Sequence, residues 1–158
     1  YINDSIFSMQ WMLSMSKPDQ STPLYFSSKM IDDHIRKEEF IFLFNIIYKL
    51  IKNEPEIKDK HIDMRRGYVN LYPCGIGGDW HRDDEKSSPS GRAVPTTFLF
   101  YPSDWKEEYG GATEFEIGEK VEYKKNRLLQ FDGNISHRCA LHTNPHNRYI
   151  VVYKTEIE

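Results

Sequence analysis

Beyond Lys60 the chain is cut into short apolar stretches separated by clusters of Gly, Pro, Asn and Asp. That texture constrains the fold more than any other feature of the sequence. Strand candidates fall at 67–72, 96–101, 113–117, 120–123, 127–131 and 148–155. Several short strands with turn signals between them predict an all-β sandwich or barrel. There is no alternation of strands with helices and no internal repeat. The aromatic fraction of 14% suits such a fold, in which Tyr and Phe fill the space enclosed by sheets. At 158 residues the chain makes a single domain, 1–158, long enough to bury a core without staples.

The front of the chain has a different rhythm. Across 33–53, Phe40, Leu43, Phe44, Ile47, Leu50 and Ile51 recur at steps of three and four, which lines one face of a helix. Asp32 or Asp33 can cap its start, and Pro55 follows its end. We therefore expect 1–60 to be a helical support region and 61–158 to form the barrel.

Bulk properties exclude little but point one way. The formal net charge is −3, whereas a generic nucleic-acid binder is usually basic, because phosphate neutralisation supplies most of its affinity. Cys74 and Cys139 lie far apart and form no CxxC pair, so a zinc knuckle or redox motif is unsupported. We read them as free thiols in a reducing compartment, which makes a cytoplasmic location the expectation. No run approaches the ~20 apolar residues of a membrane span. The opening YINDSIFSMQWMLSM lacks a basic stretch followed by an apolar core, so no secretory signal and no membrane partner are expected.

The residues that carry chemistry lie in the strand-rich part. WHRDD at 80–84 sets His81 and Asp83 two apart, and on a strand such residues point to one side. A third donor must come from elsewhere. His137, which follows RLLQFD and a turn at Gly133 and Asn134, is the candidate. Two histidines and one carboxylate form the facial triad of non-haem iron(II) oxygenases, leaving the opposite face of an octahedron open. An HxD pattern alone equally describes an exposed histidine among acidic loop residues, and His137 alone reads as a loop histidine bonded to backbone. Arg148, which opens the strand RYIVVYK, shifts the balance. A buried arginine facing into a barrel needs an anionic partner, since an unpaired buried charge is costly. Guanidinium also meets carboxylate in a two-pronged hydrogen bond. The alternative is an ordinary surface arginine.

With these residues in place, the stretch from about Arg65 to Lys154 resembles the 2-oxoglutarate/iron(II) dioxygenase superfamily, and within it the prolyl 4-hydroxylase-like branch. YVNLYPCG (68–75) resembles the strand ahead of the family's metal motif, and HRD (81–83) matches HxD. FLFYPSDW (98–105) resembles the next strand and its acidic-aromatic turn, and GGATEF (110–115) resembles GG-x-T-x-F. NRLLQFDGNISHRC (126–139) resembles the segment leading to the distal histidine, and RYIVVYK (148–154) carries the basic residue. Six modest elements in the right order make a specific match.

The resemblance implies a mainly β fold: a double-stranded β-helix, or cupin-like jelly roll, with N-terminal helices packed on its outer face. It implies Fe(II) held by His81, Asp83 and His137, with 2-oxoglutarate and O2 as co-substrates and ascorbate as a candidate reductant. Arg148 and Tyr101 would hold the far carboxylate of 2-oxoglutarate, and Tyr72 would lie beside it; each tyrosine also suits plain core packing. The implied reaction couples decarboxylation of 2-oxoglutarate to hydroxylation of a prolyl or other protein or peptide side chain.

Other acceptors stay open. NLYPCGIGGDWHRDDE resembles the N-x-Y-x-x-G to HxD stretch of AlkB-like nucleic-acid demethylases, with Asn70 and Tyr72 as its N and Y. That family expects RxNxTxR, however, and here Ile150, Val152 and Lys154 stand in place of Asn, Thr and the second Arg. A free amino acid is a further acceptor, and a non-catalytic cupin-like metal-binding module is the reading from a different class. The polar insert at 84–95 follows the metal motif directly and is a candidate substrate cover.

Overall fold

The computed structural model describes residues 12–14, 25–32, 35–36, 41–83 and 94–158. Among them the order is β1 (Met12–Ser14), β2 (Tyr25–Asp32), β3 (Ile35–Arg36), α1 (Ile41–Lys52), β4 (Ile62–Tyr72) and β5 (Val94–Phe100). A short 3-10 turn at Glu107–Tyr109 follows, then β6 (Thr113–Phe115), β7 (Lys120–Val121), β8 (Leu128–Asp132), β9 (His137–Cys139) and β10 (Arg148–Ile157). The larger sheet is antiparallel in the order β1-β2-β4-β10-β5-β8, with β3 paired to the end of β2. The smaller sheet runs β7-β6-β9. Its inward side chains pack with those of the larger sheet, which is the two-sheet arrangement of a jelly roll.

The period of two along β10 divides the molecule into two cores. Val151, Tyr153 and Ile157 face outward, where α1 lays Phe44, Ile47 and Ile51 against the sheet. The Phe44 and Tyr153 rings meet edge-on at 6.4 Å. Burying each such side chain contributes about 1.5–3 kcal/mol. Arg148, Ile150 and Val152 face inward, among Tyr72, Leu99, Tyr101, Tyr123 and Cys139. A bulge keeps this division in register. Lys154 pairs with Arg66 but Thr155 pairs with Met64, so Arg65 is the extra residue. The bulge turns Ile62 and Met64 to the same side as Val69, under α1.

Part of the region expected to be helical, 1–60, is strand. Among the described residues α1 is the one α-helix, and Tyr25–Asp32 instead extends the larger sheet beside β4. The helix runs from Ile41, with Ile35–Arg36 before it in a strand; Asp32 is the last residue of β2, and Asp33 lies outside the described residues. Its end is as expected, with the Asn53 N–H bonded back to Lys49 and Leu50 before Pro55. Leu50, expected on the buried face, is 41% exposed. Most of the insert at 84–95 also lies outside the described residues. Cys74 and Cys139 are both free thiols, as read from the sequence. Among the described residues no helix is long and apolar enough to cross a membrane.

Candidate metal centre

Backbone pairing assembles the three candidate ligands. The segment before His81 runs antiparallel to β9: Gly78 N–H donates to the Cys139 carbonyl at 2.8 Å, and His81 and His137 exchange bonds of 3.0 and 2.9 Å. Gly77 permits this approach, since a Cβ there would lie 2.9 Å from the Cys139 carbonyl oxygen. Asp83 N–H donates to the Gly133 carbonyl at 2.9 Å, tying the HxD segment to the turn after β8. One donor atom from each of His81, Asp83 and His137 falls within 4.8 Å of the others. His81 Nε2 lies 3.7 Å from Asp83 Oδ1, and His137 Nε2 lies 3.6 Å from Asp83 Oδ2.

The electrostatics suit a cation. Both histidines place Nδ1 against a carbonyl, His81 on Asp79 at 2.8 Å and His137 on Ile135 at 2.9 Å. An Nδ1–H donated there leaves the Nε2 lone pair turned inward. Burial lowers the pKa of His137 and keeps it neutral, although Asp83 pulls the other way. Burial alone would raise the pKa of Asp83, but the Lys154 ammonium foremost, with the Thr97 hydroxyl, outweighs it and holds the carboxyl below its ordinary range. Thr97 Oγ1 donates to Asp83 Oδ2 at 2.7 Å, and the Lys154 ammonium meets Oδ1 at 2.9 Å. Exposure is uneven: the His81 side chain is 49% exposed, those of His137 and Asp83 only 5% and 3%.

The three residues open onto a cleft whose walls include Tyr72, Leu99, Thr113, Cys139, Ile150 and Val152. Arg148 and Tyr101 are fully buried one contact behind this wall. Arg148 Nη1 reaches Cys139 Sγ at 2.7 Å, and the Tyr101 hydroxyl bonds the Thr113 hydroxyl at 2.8 Å. The guanidinium sits 5.1 Å from the ring centre of Tyr123 and 5.5 Å from that of Tyr72. Burial raises the pKa of Cys139, with Arg148 opposing it, so the thiol stays neutral and supplies no counter-charge. Arg148 Nε and Nη2 have no hydrogen-bond partner although both are buried. A buried cation with two unpaired donors costs stability unless an anion meets it.

The structure thus brings His81, Asp83 and His137 together and puts Tyr72 on the cleft wall, with Arg148 and Tyr101 just behind. Sequence reasoning passed over Thr97, Thr113 and Cys139 and gave Lys154 no role here. The period of two held the signal: Thr97 is in step with Tyr101, Cys139 with His137, and Lys154 with Arg148.

The family model described as "2OG-Fe(II) oxygenase superfamily" matches residues 67–153, more than half of the chain. The chain belongs to that superfamily. Membership brings Fe(II) as the metal and 2-oxoglutarate and O2 as co-substrates, making the protein a dioxygenase. No curated protein matches it by sequence. Among solved structures its fold is similar to a prolyl hydroxylase from Trichoplax adhaerens in complex with a hypoxia inducible factor oxygen degradation domain peptide fragment. The identity is 17%, covering 98% of this chain and 73% of that one, with a TM-score of 0.67. It is also similar to the viral collagen prolyl hydroxylase of Paramecium Bursaria Chlorella virus-1 in a 2-oxoglutarate complex (14% identity, 85% and 80% covered, TM-score 0.60). A Pseudomonas putida prolyl-4-hydroxylase gives 13% identity, 96% and 95% covered and a TM-score of 0.58. These likenesses establish the jelly-roll fold.

Proposed function

We propose that the protein hydroxylates a prolyl or other side chain of a protein or peptide, with His81, Asp83 and His137 as the Fe(II) ligands. In this reading Arg148, with Tyr101, receives the far carboxylate of 2-oxoglutarate, and Tyr72 flanks the co-substrate. The observation that carries it is the fully buried Arg148 with two unpartnered N–H donors, one contact behind a cleft that begins at a His-Asp-His cluster. A dicarboxylate supplies the missing anion, and the donor set of two imidazoles and a carboxylate suits Fe(II).

Bound Fe(II) and 2-oxoglutarate supply the activation of dioxygen and the oxidising power for C–H hydroxylation. The chain's own residues orient and shield. The carbonyls of Asp79 and Ile135 fix the two imidazoles, and Thr97 fixes the carboxylate. Leu99, Ile150 and Val152 give the cleft an apolar side. Burial raises the pKa of the Tyr101 phenol, so it keeps its proton and is able to donate to a carboxylate.

The peptide assignment draws on two supports. The site is open on the His81 side, where a chain from outside has access, and the fold is shared with prolyl hydroxylases, one of them solved with a peptide. The test is a succinate-release screen over proline-containing peptides, free amino acids and methylated oligonucleotides, with mass analysis of each. A peptide that gains one oxygen atom while 2-oxoglutarate is consumed supports the proposal. Oxidation confined to free amino acids or to oligonucleotides overturns it.

A further inference from the structure

On the inward side of β10, in step with Arg148, Ile150 and Val152, stands a second cation, Lys154. Its ammonium meets Asp83 Oδ1 at 2.9 Å and the Asp83 carbonyl oxygen at 3.2 Å, and lies 5.6 Å from the centre of the Tyr68 ring. The pair is sheltered, with the Asp83 side chain 3% exposed and that of Lys154 21%. Thr97 holds the other carboxylate oxygen at 2.7 Å. Both oxygens of a candidate metal ligand are therefore engaged by the protein itself.

Stability alone does not account for this lysine. Its neighbours on the same face of the strand, Ile150 and Val152, are apolar. Replacing a buried ion pair by packed apolar groups is often neutral or stabilising. What the ammonium does is set the charge at one end of the cleft. It cancels the Asp83 carboxylate, and it repels any divalent ion that comes to the same carboxylate.

We propose that Lys154 tunes the charge of the metal centre. It acts through Asp83 as a resident counter-cation that stabilises the metal-free site and weakens the site's hold on a divalent ion. The inference rests on the reading of Asp83 as a metal ligand. A merely structural lysine predicts the opposite sign, because its loss would let Asp83 wander and would weaken metal binding.

The test titrates Mn(II), a redox-stable divalent ion, into the full chain and into its Lys154→Met, Lys154→Gln and Lys154→Arg variants. Thermal unfolding is followed in parallel without metal and at saturation. Both neutral variants are expected to bind Mn(II) more tightly than the parent, by roughly ten-fold or more, because the repulsion between the ammonium and a divalent ion at the same carboxylate is removed. Their metal-free forms should melt lower, and added Mn(II) should raise their melting point by more than it raises the parent's. Lys154→Arg keeps the charge and should keep the parent's affinity. A neutral variant that folds only with Mn(II) present also supports the proposal. Neutral variants that bind Mn(II) no more tightly than the parent, or that fail to fold even with metal, overturn it. If the unaltered chain itself binds no Mn(II), the metal-centre reading fails, and that outcome is distinct from the failure of Lys154 alone.

Discussion

At the Asp83 end of the cleft both carboxylate oxygens have a protein donor and both imidazoles have a carbonyl on Nδ1. At the other end Arg148 is fully buried, yet only Nη1 finds a partner, the sulfur of a neutral thiol. The two ends lie on the same inward side of β10 and are walled by the same strands. The chain builds the first end nearly complete and leaves the second one anion short. Organised donors with no counter-charge mark the place where a ligand finishes the structure, while a self-satisfied cluster marks a place where an ion must compete with contacts already made.

The largest effects are expected at the Asp83 end. Asp83→Ala or His137→Ala should reduce succinate release to background and cut Mn(II) affinity by more than the roughly ten- to hundred-fold that outer-shell changes produce; near-parental turnover in either variant would remove the triad assignment. Arg148→Gln leaves the metal end intact and should weaken 2-oxoglutarate binding about ten- to hundred-fold, the size of a lost charged hydrogen bond. Without co-substrate the same variant should melt no lower than the parent, because it deletes an unpaired buried charge. A clear loss of melting temperature would mean that the guanidinium is already paid for within the fold.

Gly111 gives a smaller effect at the Arg148 end. Its φ is +75°, and a Cβ there would lie 3.2 Å from Arg148 Nε and 3.1 Å from the Cβ of His142. Gly111→Ala should cost about 1–2 kcal/mol from the left-handed backbone alone, measurable by denaturant titration. It should also crowd the arginine, so 2-oxoglutarate affinity should fall while Mn(II) affinity holds. The smallest effect concerns His142, buried behind Arg148 with Nε2 on the Tyr72 carbonyl at 3.1 Å. Burial lowers its pKa below the ordinary histidine value, with Arg148 adding to the shift. The unfolded chain therefore takes up this proton first as pH falls. The stability of the metal-free protein should decline as pH drops below about 6.5, and His142→Gln should flatten that decline; an unchanged acid limb would assign the loss to other groups.

How far the sequence reaches follows from what is local. The strands after Lys60 were legible because each carries its own apolar run and turn signals, and HRD, His137 and Arg148 lie on or next to them. The N-terminal strand Tyr25–Asp32 was not. Ser27, Ser28 and Lys29 blur its alternation, and its register with β4 shifts between Lys29 and Ile31. The α1 face was legible from its spacing, but its start was not, since Ile35 and Arg36 are drawn into pairing with β2. The contacts that tune the site were out of reach for another reason. Lys154 meets Asp83, and Cys139 meets Arg148, only because the larger sheet is ordered β4-β10-β5 and β9 lies across from it. That is a property of assembly, which no single stretch of sequence carries.

The most direct measurement titrates 2-oxoglutarate, and separately 2-oxovalerate, which lacks the far carboxylate, into the Mn(II)-loaded protein by calorimetry. The unpaired donors of Arg148 predict that the parent prefers 2-oxoglutarate by roughly ten-fold or more and that Arg148→Gln erases the preference. Equal binding of the two acids by the parent, or a preference that survives in Arg148→Gln, would contradict the account.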